Sequence, residues 1–315
     1  MPVAAPAVPV IALGRDGFAA LARREPARMA DLWQRARASY SLPGLVIGDL
    51  LSRHWARRRG LAHLDEIEAV AALLGRPGAH LLNLSYEWGC STAVAPAGTL
   101  HRVLDWKLPG LGLNLVAAWA DAPAGRWLNL TWPGFVGCVQ GVAPGRFAIA
   151  LNQAPDIAWP LAKLRLLAGA GEPPLLLLRR VFETCADAGA AVELLTGTPL
   201  AKPAIFCLAA PGRAVMIERS RDRAVRHDGA QCATNLWQSA LPGAPASYLP
   251  AERLAALRAA MAAGAAGLSW LAPPIVNPGT RLALEVDLAR RRLIVQGWEE
   301  SGPVTAVTEI TWEDP

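Results

Sequence analysis

Cys90, in the stretch Tyr86-Glu87-Trp88-Gly89-Cys90-Ser91-Thr92-Ala93-Val94-Ala95, is the residue best placed to do chemistry. A cysteine that follows a glycine is open to an N-to-S acyl shift. The thiol attacks the preceding carbonyl, and a residue without Cβ permits the strained backbone geometry that the attack requires. If the Gly89–Cys90 bond is cut, Cys90 becomes a new N-terminus whose thiol and free α-amine share one residue, so nucleophile and general base need no separate histidine. A thiol pKa of about 8.5 and an α-amine pKa of about 7.7–8.0 let the two exchange a proton near neutrality with little perturbation. Arg102 and Asp105 follow at a short interval. Residues three apart on a regular strand face opposite sides, so the pair converges on Cys90 only where the strand twists, bulges or ends.

Two other chemistries can be written around the same stretch. Gly89-Cys90-Ser91-Thr92-Ala93 is one residue from a Gly-x-Ser-x-Gly elbow, which would make Ser91 the nucleophile and His227 its base. An elbow needs a helix directly after the serine, whereas Thr92-Ala93-Val94-Ala95-Pro96 reads as a short strand closed by proline. The third reading pairs Cys90 with His101 or His227 in a thiol–imidazole dyad. His54, His63, His80, His101 and His227 all have polar or loop-edge settings, and none shows metal-ligand spacing such as H-E-x-x-H. Cys138, Cys185, Cys207 and Cys232 lie in apolar or helical runs and read as core residues.

These residues need elements to hold them. From about Arg15 to Leu74 the apolar positions recur at helical spacing, with Pro26 and Leu42-Pro43-Gly44 dividing the segment and Gly75-Arg76-Pro77-Gly78 stopping it. From His80 the pattern shifts toward the short apolar runs of strands. Residues 91–95, 100–106, 113–119, 127–132 and 147–152 read as consecutive strands of an antiparallel meander, separated by Pro/Gly turns. Residues 175–195 are helical with a break near Asp187. Residues 204–209 and 213–218 form a hairpin across Pro211-Gly212, 250–263 is a helix, and 281–286, 291–296 and 304–312 are closing strands. Sheet and helix come in blocks rather than in alternating βαβ units, which predicts an α+β fold.

Composition narrows the classes. With 315 residues, 53% of them hydrophobic, the chain can bury a large core, and a net charge of +5 is too mild to indicate nucleic-acid binding. Five cysteines without C-x-x-C spacing argue against a zinc knuckle or a disulfide framework and fit a reducing compartment. Met1 to Leu13 lacks a charged n-region and a continuous apolar h-region, so a cytoplasmic protein is expected. The apolar tract from Met261 to Val276 contains Gly and Pro and reads as a helix end plus a loop, not a membrane span. Trp33, Arg35, Arg37 and the His54–Arg59 run read first as a solvated helix face, the alternative being a basic amphipathic surface for weak lipid contact or acyl-chain substrates. Trp88, Trp106, Trp119, Trp127, Trp132 and Trp237 suit either core or the wall of an apolar pocket.

From Cys90 onward the sequence resembles the cysteine N-terminal-nucleophile hydrolases, the group of acid ceramidase, N-acylethanolamine acid amidase and choloylglycine hydrolase. Cys90-Ser91-Thr92-Ala93-Val94-Ala95 looks like the family's Cys-Thr-Ser-Ile-Val-Ala opening. Gly98 through His101-Arg102-Val103-Leu104-Asp105-Trp106 looks like its Gly-x-x-x-x-x-Arg-Asn-Leu-Asp-Tyr segment. Gly134-Phe135-Val136-Gly137 through Asn152-Gln153 is similar to its glycine-rich crossing and following strand, with a polar pair where ceramidase-like members carry acidic residues. Thr234-Asn235-Leu236-Trp237 resembles its Thr-Asn-x-x-x-Trp element, and Arg253 falls where a later family arginine would. The resemblance spans about Cys90 to Arg253.

The resemblance implies a four-layer αββα sandwich of two antiparallel sheets, preceded by a helical N-terminal segment. It further implies a precursor cut into a helical chain of residues 1–89 and a catalytic chain of residues 90–315 that stay associated. Carried over residue by residue, Cys90 is the nucleophile, Asp105 holds its α-amine, and Arg102 lies near the nucleophile and acyl carbonyl. Asn235 donates to the oxyanion, Asn152 adds a second polar contact, and Arg253 completes the site. The expected substrate is an N-acyl amide, fatty-acyl or bile-salt-like, cleaved through a thioester with no metal or organic cofactor. Expected partners are the cleaved N-terminal chain, a weakly bound lipid surface and a second copy of the chain, with no nucleic acid. A non-catalytic relative that binds an acyl ligand is the competing class.

Overall fold

The computed structural model describes residues 5–156, 171–244 and 247–313. Five helices fill the N-terminal part: α1 (Ala19–Arg24), α2 (Pro26–Tyr40), α3 (Leu42–Arg59), α4 (Leu64–Leu74) and α5 (Ala79–Leu84). Pro26 and Pro43 sit in the first turns of α2 and α3, where a missing N–H costs nothing. Gly60 and Gly75 close α3 and α4 in the left-handed conformation that glycine adopts without a Cβ penalty. Two of the sequence expectations fail here. A strand, β1 (Val10–Gly14), precedes the helices, and the run from His80 is helix α5 rather than strand, because its apolar residues pack on α3 and α4.

The remaining strands are β2 (Trp88–Ala95), β3 (Thr99–Trp106), β4 (Val116–Ala122), β5 (Gly125–Thr131), β6 (Gln140–Ala143), β7 (Phe147–Gln153), β8 (Ala204–Ala210), β9 (Arg213–Arg219), β10 (Ala224–Asp228), β11 (Gln231–Ala233), β12 (Thr280–Asp287), β13 (Arg292–Glu299), β14 (Gly302–Pro303) and β15 (Thr308–Thr311). They form two sheets among the described residues. One has eight strands in the order β1-β4-β5-β6-β7-β8-β9-β10, and the other has the order β11-β2-β3-β12-β13-β14, with β15 on β13. The single meander expected from residue 91 onward is therefore divided: the β2–β3 hairpin belongs to the second sheet, and β4 to β7 meander in the first. Strands β6, β10 and β11 are short and escape a pattern reading. β1 adds to the edge of the eight-stranded sheet parallel to β4, so the N-terminal segment contributes to the main sheet as well as to the helical layer.

The sheets pack face to face through β2 and β3 against β7 and β8. Helices α6 (Pro174–Thr184) and α7 (Ala188–Gly197) cover the outer face of the eight-stranded sheet, and α8 (Pro250–Ala262) covers β2 and β11 of the other. The architecture is an αββα sandwich. Leu176, Leu177, Leu178, Val181 and Phe182 of α6 are fully buried, each such side chain contributing about 1.5–3 kcal/mol by its removal from water. Trp127 of β5 stacks on Phe182 with ring centres 4.9 Å apart and touches Phe18, just before α1, at 5.5 Å. Part of the tryptophan set is thus core. On α3 the outward face carries exposed Leu42, Val46, Ile47, Leu50 and Leu51, followed by exposed His54, Arg57 and Arg58; Arg53 and Arg57 pair with Glu68.

One polar cluster joins residues before and after position 89. His63 lies 3.2 Å from Glu183 and 3.6 Å from Glu66, while Arg179 of α6 binds Glu66 and Glu183. Burial pushes the Glu66 carboxyl up, but His63 and Arg179 outweigh it and hold the group at about 2; burial pushes His63 down, and Glu183 and Glu66 outweigh it and raise the imidazole above 6.5. A carboxylate held low stabilises above its ordinary 4.5 and loses that contribution as pH falls toward 2, whereas the raised imidazole stabilises below 6.5 and loses its share as pH rises past its folded value. The cluster is therefore tightest between these two ordinary values. The expected result is that His63→Gln lowers Tm most near pH ~5.5 and progressively less above neutrality; parallel Tm–pH curves for variant and wild type would refute it.

Candidate active site

The antiparallel register of β2 and β3 decides which side chains share a face. Thr92 pairs with Arg102, Cys90 with Leu104 and Gly89 with Asp105, so Cys90, Thr92 and Arg102 point to the inter-sheet side while Asp105 and Ser91 point to the other. Both sequence-predicted partners reach Cys90, but from opposite faces of its strand. A register irregularity in β12 between Thr280 and Leu282 lies beside Asp105, and Thr280 Oγ1 donates to Asp105 Oδ1 at 2.9 Å.

On the inter-sheet side Arg102 is fully buried. Its Nη2 donates to Cys90 Sγ at 3.2 Å and to the Leu151 carbonyl at 2.8 Å. Nη1 donates to Asn152 Oδ1 at 2.8 Å and Thr92 Oγ1 at 3.1 Å, and Nε donates to Gln140 Oε1 at 2.9 Å. Asn152 is brought to the site, but it orients Arg102 rather than facing the Gly89–Cys90 bond; its Nδ2 donates to the carbonyls of Ala233 and Thr234.

The free edge of β2 is completed by side chains. β11 pairs only with Thr92–Val94, so the edge-facing backbone groups of Trp88 and Cys90 have no strand beside them. Trp88 N–H donates to Gln153 Oε1 at 2.7 Å, and the Trp88 carbonyl accepts from Asn235 Nδ2 at 3.3 Å. Cys90 N–H donates to Asn235 Oδ1 at 2.8 Å, and the Cys90 carbonyl accepts from Arg253 Nη1, also at 2.8 Å. Arg253 Nη1 also reaches Asp105 Oδ2 at 3.1 Å and Ser91 Oγ at 3.2 Å, and Nη2 donates to Asn235 Oδ1 at 2.8 Å. Gly89 and Cys90 are thus clamped on both faces and along one edge. A Cβ on residue 89 would meet Asp105 Cβ and Oδ2 at 3.2 Å, so a side chain there requires that carboxylate to give by a few tenths of an ångström.

The electrostatics describe a resting, protonated thiol. Burial pushes the Cys90 thiol up, Arg102 and Arg253 pull it down, and Asp105 opposes them. Burial likewise raises the Asp105 carboxyl against the pull of Arg253, Asn277 and Thr280. Cys90 is completely shielded from water. Trp88 packs at a tilt between Tyr86 (4.7 Å) and Trp106 (5.1 Å), and Trp106 in turn meets Trp132 edge-on at 6.1 Å. Trp106 and Trp132 line a small apolar cavity of about 70 Å³ together with Met29, Leu32, Trp33 and Phe135. Trp106 thus lies between this apolar space and the Trp88 indole, two residues before the thiol.

The competing chemistries do not fit. Ser91 lies in mid-strand, with no helix following it, which excludes the nucleophile elbow. His101 is not at a loop edge: it is buried on the face of β3 away from Cys90, 3.0 Å from Glu285 and edge-on to Trp270. His80 is buried too, beside Asp49. His227 is spent on Glu218 at 3.0 Å. Among the described residues no group of His, Cys, Asp or Glu is arranged to hold a metal ion, and no helix is long and apolar enough to cross a membrane. Gln140, Thr92 and Thr280 were not foreseen as site residues, and the sequence shows Gln153 only as half of the polar pair Asn152-Gln153. Gln140 alone had a visible signal, a single amide in the apolar run from Val139 to Ala143.

No protein-family model and no curated protein matches the sequence. Among solved structures, the N-acylethanolamine-hydrolyzing acid amidase ortholog of Caenorhabditis elegans superimposes with a TM-score of 0.51 at 18% identity, covering 64% of this chain and 92% of that one. This chain has the N-terminal-nucleophile hydrolase fold. Looser matches to the Ntn-fold chain are penicillin V acylase from Agrobacterium tumefaciens (TM-score 0.36, 14% identity, 66% of this chain and 82% of that one) and a mutant conjugated bile acid hydrolase from Clostridium perfringens (TM-score 0.40, 12% identity, 72% and 97%). The superposition speaks to the fold; what the Ntn-fold chain does rests on its own residues.

Proposed function

We propose that the chain is a self-processing cysteine amidohydrolase that cleaves N-acyl amides through a thioester on Cys90. The observation that carries this reading is the buried Arg102 guanidinium on Cys90 Sγ at 3.2 Å, beside a Gly89–Cys90 bond held by Asn235, Arg253 and Gln153. In self-cleavage Sγ adds to the Gly89 carbonyl carbon, the bond to the Cys90 nitrogen breaks, and that nitrogen takes the thiol proton. Water then splits the thioester, leaving a Gly89 carboxylate and a Cys90 with free thiol and amine.

Departure of Trp88 and Gly89 removes one of the acceptors of Asn235 Nδ2, the Trp88 carbonyl, and opens the place beside the apolar cavity. Asn235 can then donate to the oxyanion of a bound acyl amide, where a neutral, fixed amide gains strength as charge develops. The Cys90 amine, held by Asp105, takes the thiol proton and returns it to the departing amine. Tryptophans around the cavity suit an apolar acyl group. The exposed apolar stripe of α3, ending in His54, Arg57 and Arg58, supports contact with an anionic lipid surface.

Intact-mass spectrometry of wild type and Cys90→Ala, incubated at neutral and acidic pH, tests the reading. Two fragments meeting at Gly89/Cys90, absent in the variant, are expected. The processed sample should release free amine from N-acyl amides and sediment with anionic vesicles. A single uncut chain under every condition overturns the mechanism and favours an acyl-ligand-binding protein of the same fold.

A further inference from the structure

Five arginines among the described residues are buried, and three of them are paired with a carboxylate. Arg179 binds Glu66 and Glu183, Arg253 binds Asp105, and Arg281 lies 3.8 Å from Glu299. Arg219 donates to the Leu195 and Thr198 carbonyls at the C-terminal end of α7, where the helix dipole supplies negative potential. Arg102 differs. Its hydrogen-bond partners are Gln140, Thr92, Asn152, the Leu151 carbonyl and the Cys90 thiol, all neutral in the resting state. A guanidinium taken wholly out of water is normally matched by a carboxylate, because its desolvation is otherwise left uncompensated.

Gln140 occupies the position where that carboxylate would stand. It is buried on β6, paired in register with Ala150, and so lies on the same sheet face as Asn152 two residues further along β7. Its Nε2 donates to the Leu130 carbonyl at 2.6 Å, which fixes the amide orientation and leaves Oε1 to accept from Arg102 Nε. A glutamate has nearly the same shape, but its second oxygen would face the Leu130 carbonyl without a proton. It would also neutralise the cation that, among the described residues, donates to Sγ.

We propose that Gln140 is a positioning residue that anchors Arg102 on Cys90 by a neutral hydrogen bond, keeping the guanidinium charge for the thiolate and the acyl oxyanion. This rests on the amidohydrolase reading for its purpose and for the self-cleavage readout, whereas the thiol titration that tests it does not. Among the described residues no carboxylate is hydrogen-bonded to Arg102, so an anion formed at Sγ is the first negative charge in direct contact with it.

The test is titration of Cys90 by ultraviolet thiolate absorbance on the full chain, each variant corrected by the same variant carrying Cys90→Ala. Gln140→Glu is expected to displace the titration upward by about one pH unit or more, roughly a tenfold loss of thiolate at a fixed pH below the midpoint. Gln140→Met, which removes the hydrogen bond but adds no charge, is expected to shift it by less than half as much and to slow self-cleavage at least several-fold. Coincident titrations for Gln140→Glu and wild type overturn the proposal, as does an equal shift in both variants. Should Gln140→Glu not fold, a Gln140→Met chain that titrates and self-cleaves like wild type overturns it alone. Wild type that titrates as expected yet neither cleaves nor hydrolyses amides would sink the functional reading and leave the Gln140 result standing.

Discussion

Arg102→Lys is expected to slow self-cleavage and amide turnover by about 10²–10³-fold, the usual scale for losing one preorganised donor at a developing anion. Lysine keeps the charge but not the fork. The guanidinium spans Gln140, Asn152, Thr92, Leu151 and Cys90 at once, whereas an ammonium has three donors on a flexible stem and cannot reach that spread of acceptors. Arg102→Met should lose as much rate and should also destabilise, because Gln140 Oε1 and the Leu151 carbonyl are left without this donor in a buried place, at about 1–3 kcal/mol for each orphaned group. A time course of fragment appearance by intact mass, with a thermal melt of each variant, separates the two effects. Arg102→Lys processing at the wild-type rate would remove Arg102 from the chemistry.

Asp105→Ala is expected to be the most destabilising single change at the site, by about 3–5 kcal/mol, because it leaves Arg253 buried without its counter-charge. Arg253 is fully enclosed and Asp105 nearly so, which places the pair outside the class of weak surface bridges. The loss translates to a Tm decrease of roughly 6–20 °C for a chain of this size. Asp105→Asn, which retains an acceptor for Thr280, should lose less stability yet remain defective in turnover, since a neutral amide cannot hold the Cys90 ammonium. A Tm for Asp105→Ala within a degree or two of wild type would show that Arg253 finds another partner, and the account of the site edge would fail.

Most of the elements were legible in the sequence. Pro26, Pro43 and Gly75 mark helix ends through fixed or left-handed backbone angles, and the turns at Pro96-Ala97-Gly98, Pro144-Gly145 and Pro211-Gly212 each join paired strands as expected, whereas the break at Gly60 between α3 and α4 was not anticipated. These are local effects, decided by a residue's own allowed conformations. What failed was equally physical. The helical run from Ala79 and the short strands β1, β6, β10 and β11 owe their states to neighbours, with β1 existing because the edge of β4 accepts it.

The six residues expected at the site, Cys90, Arg102, Asp105, Asn152, Asn235 and Arg253, all lie in one hydrogen-bonded constellation. Sequence by itself determined their identities, the α+β class and the glycine before the cysteine. Tertiary structure decided that Arg102 and Asp105 approach Cys90 from opposite faces, since strand pairing fixes side-chain direction residue by residue. It also decided that Asn152 serves Arg102, that Asn235 and Gln153 stand in for a missing strand, and that a neutral Gln140 meets a buried cation. Those relations join residues tens of positions apart. They are set by which strand ends beside which, and by the demand that each buried polar group find a partner, neither of which a local pattern records.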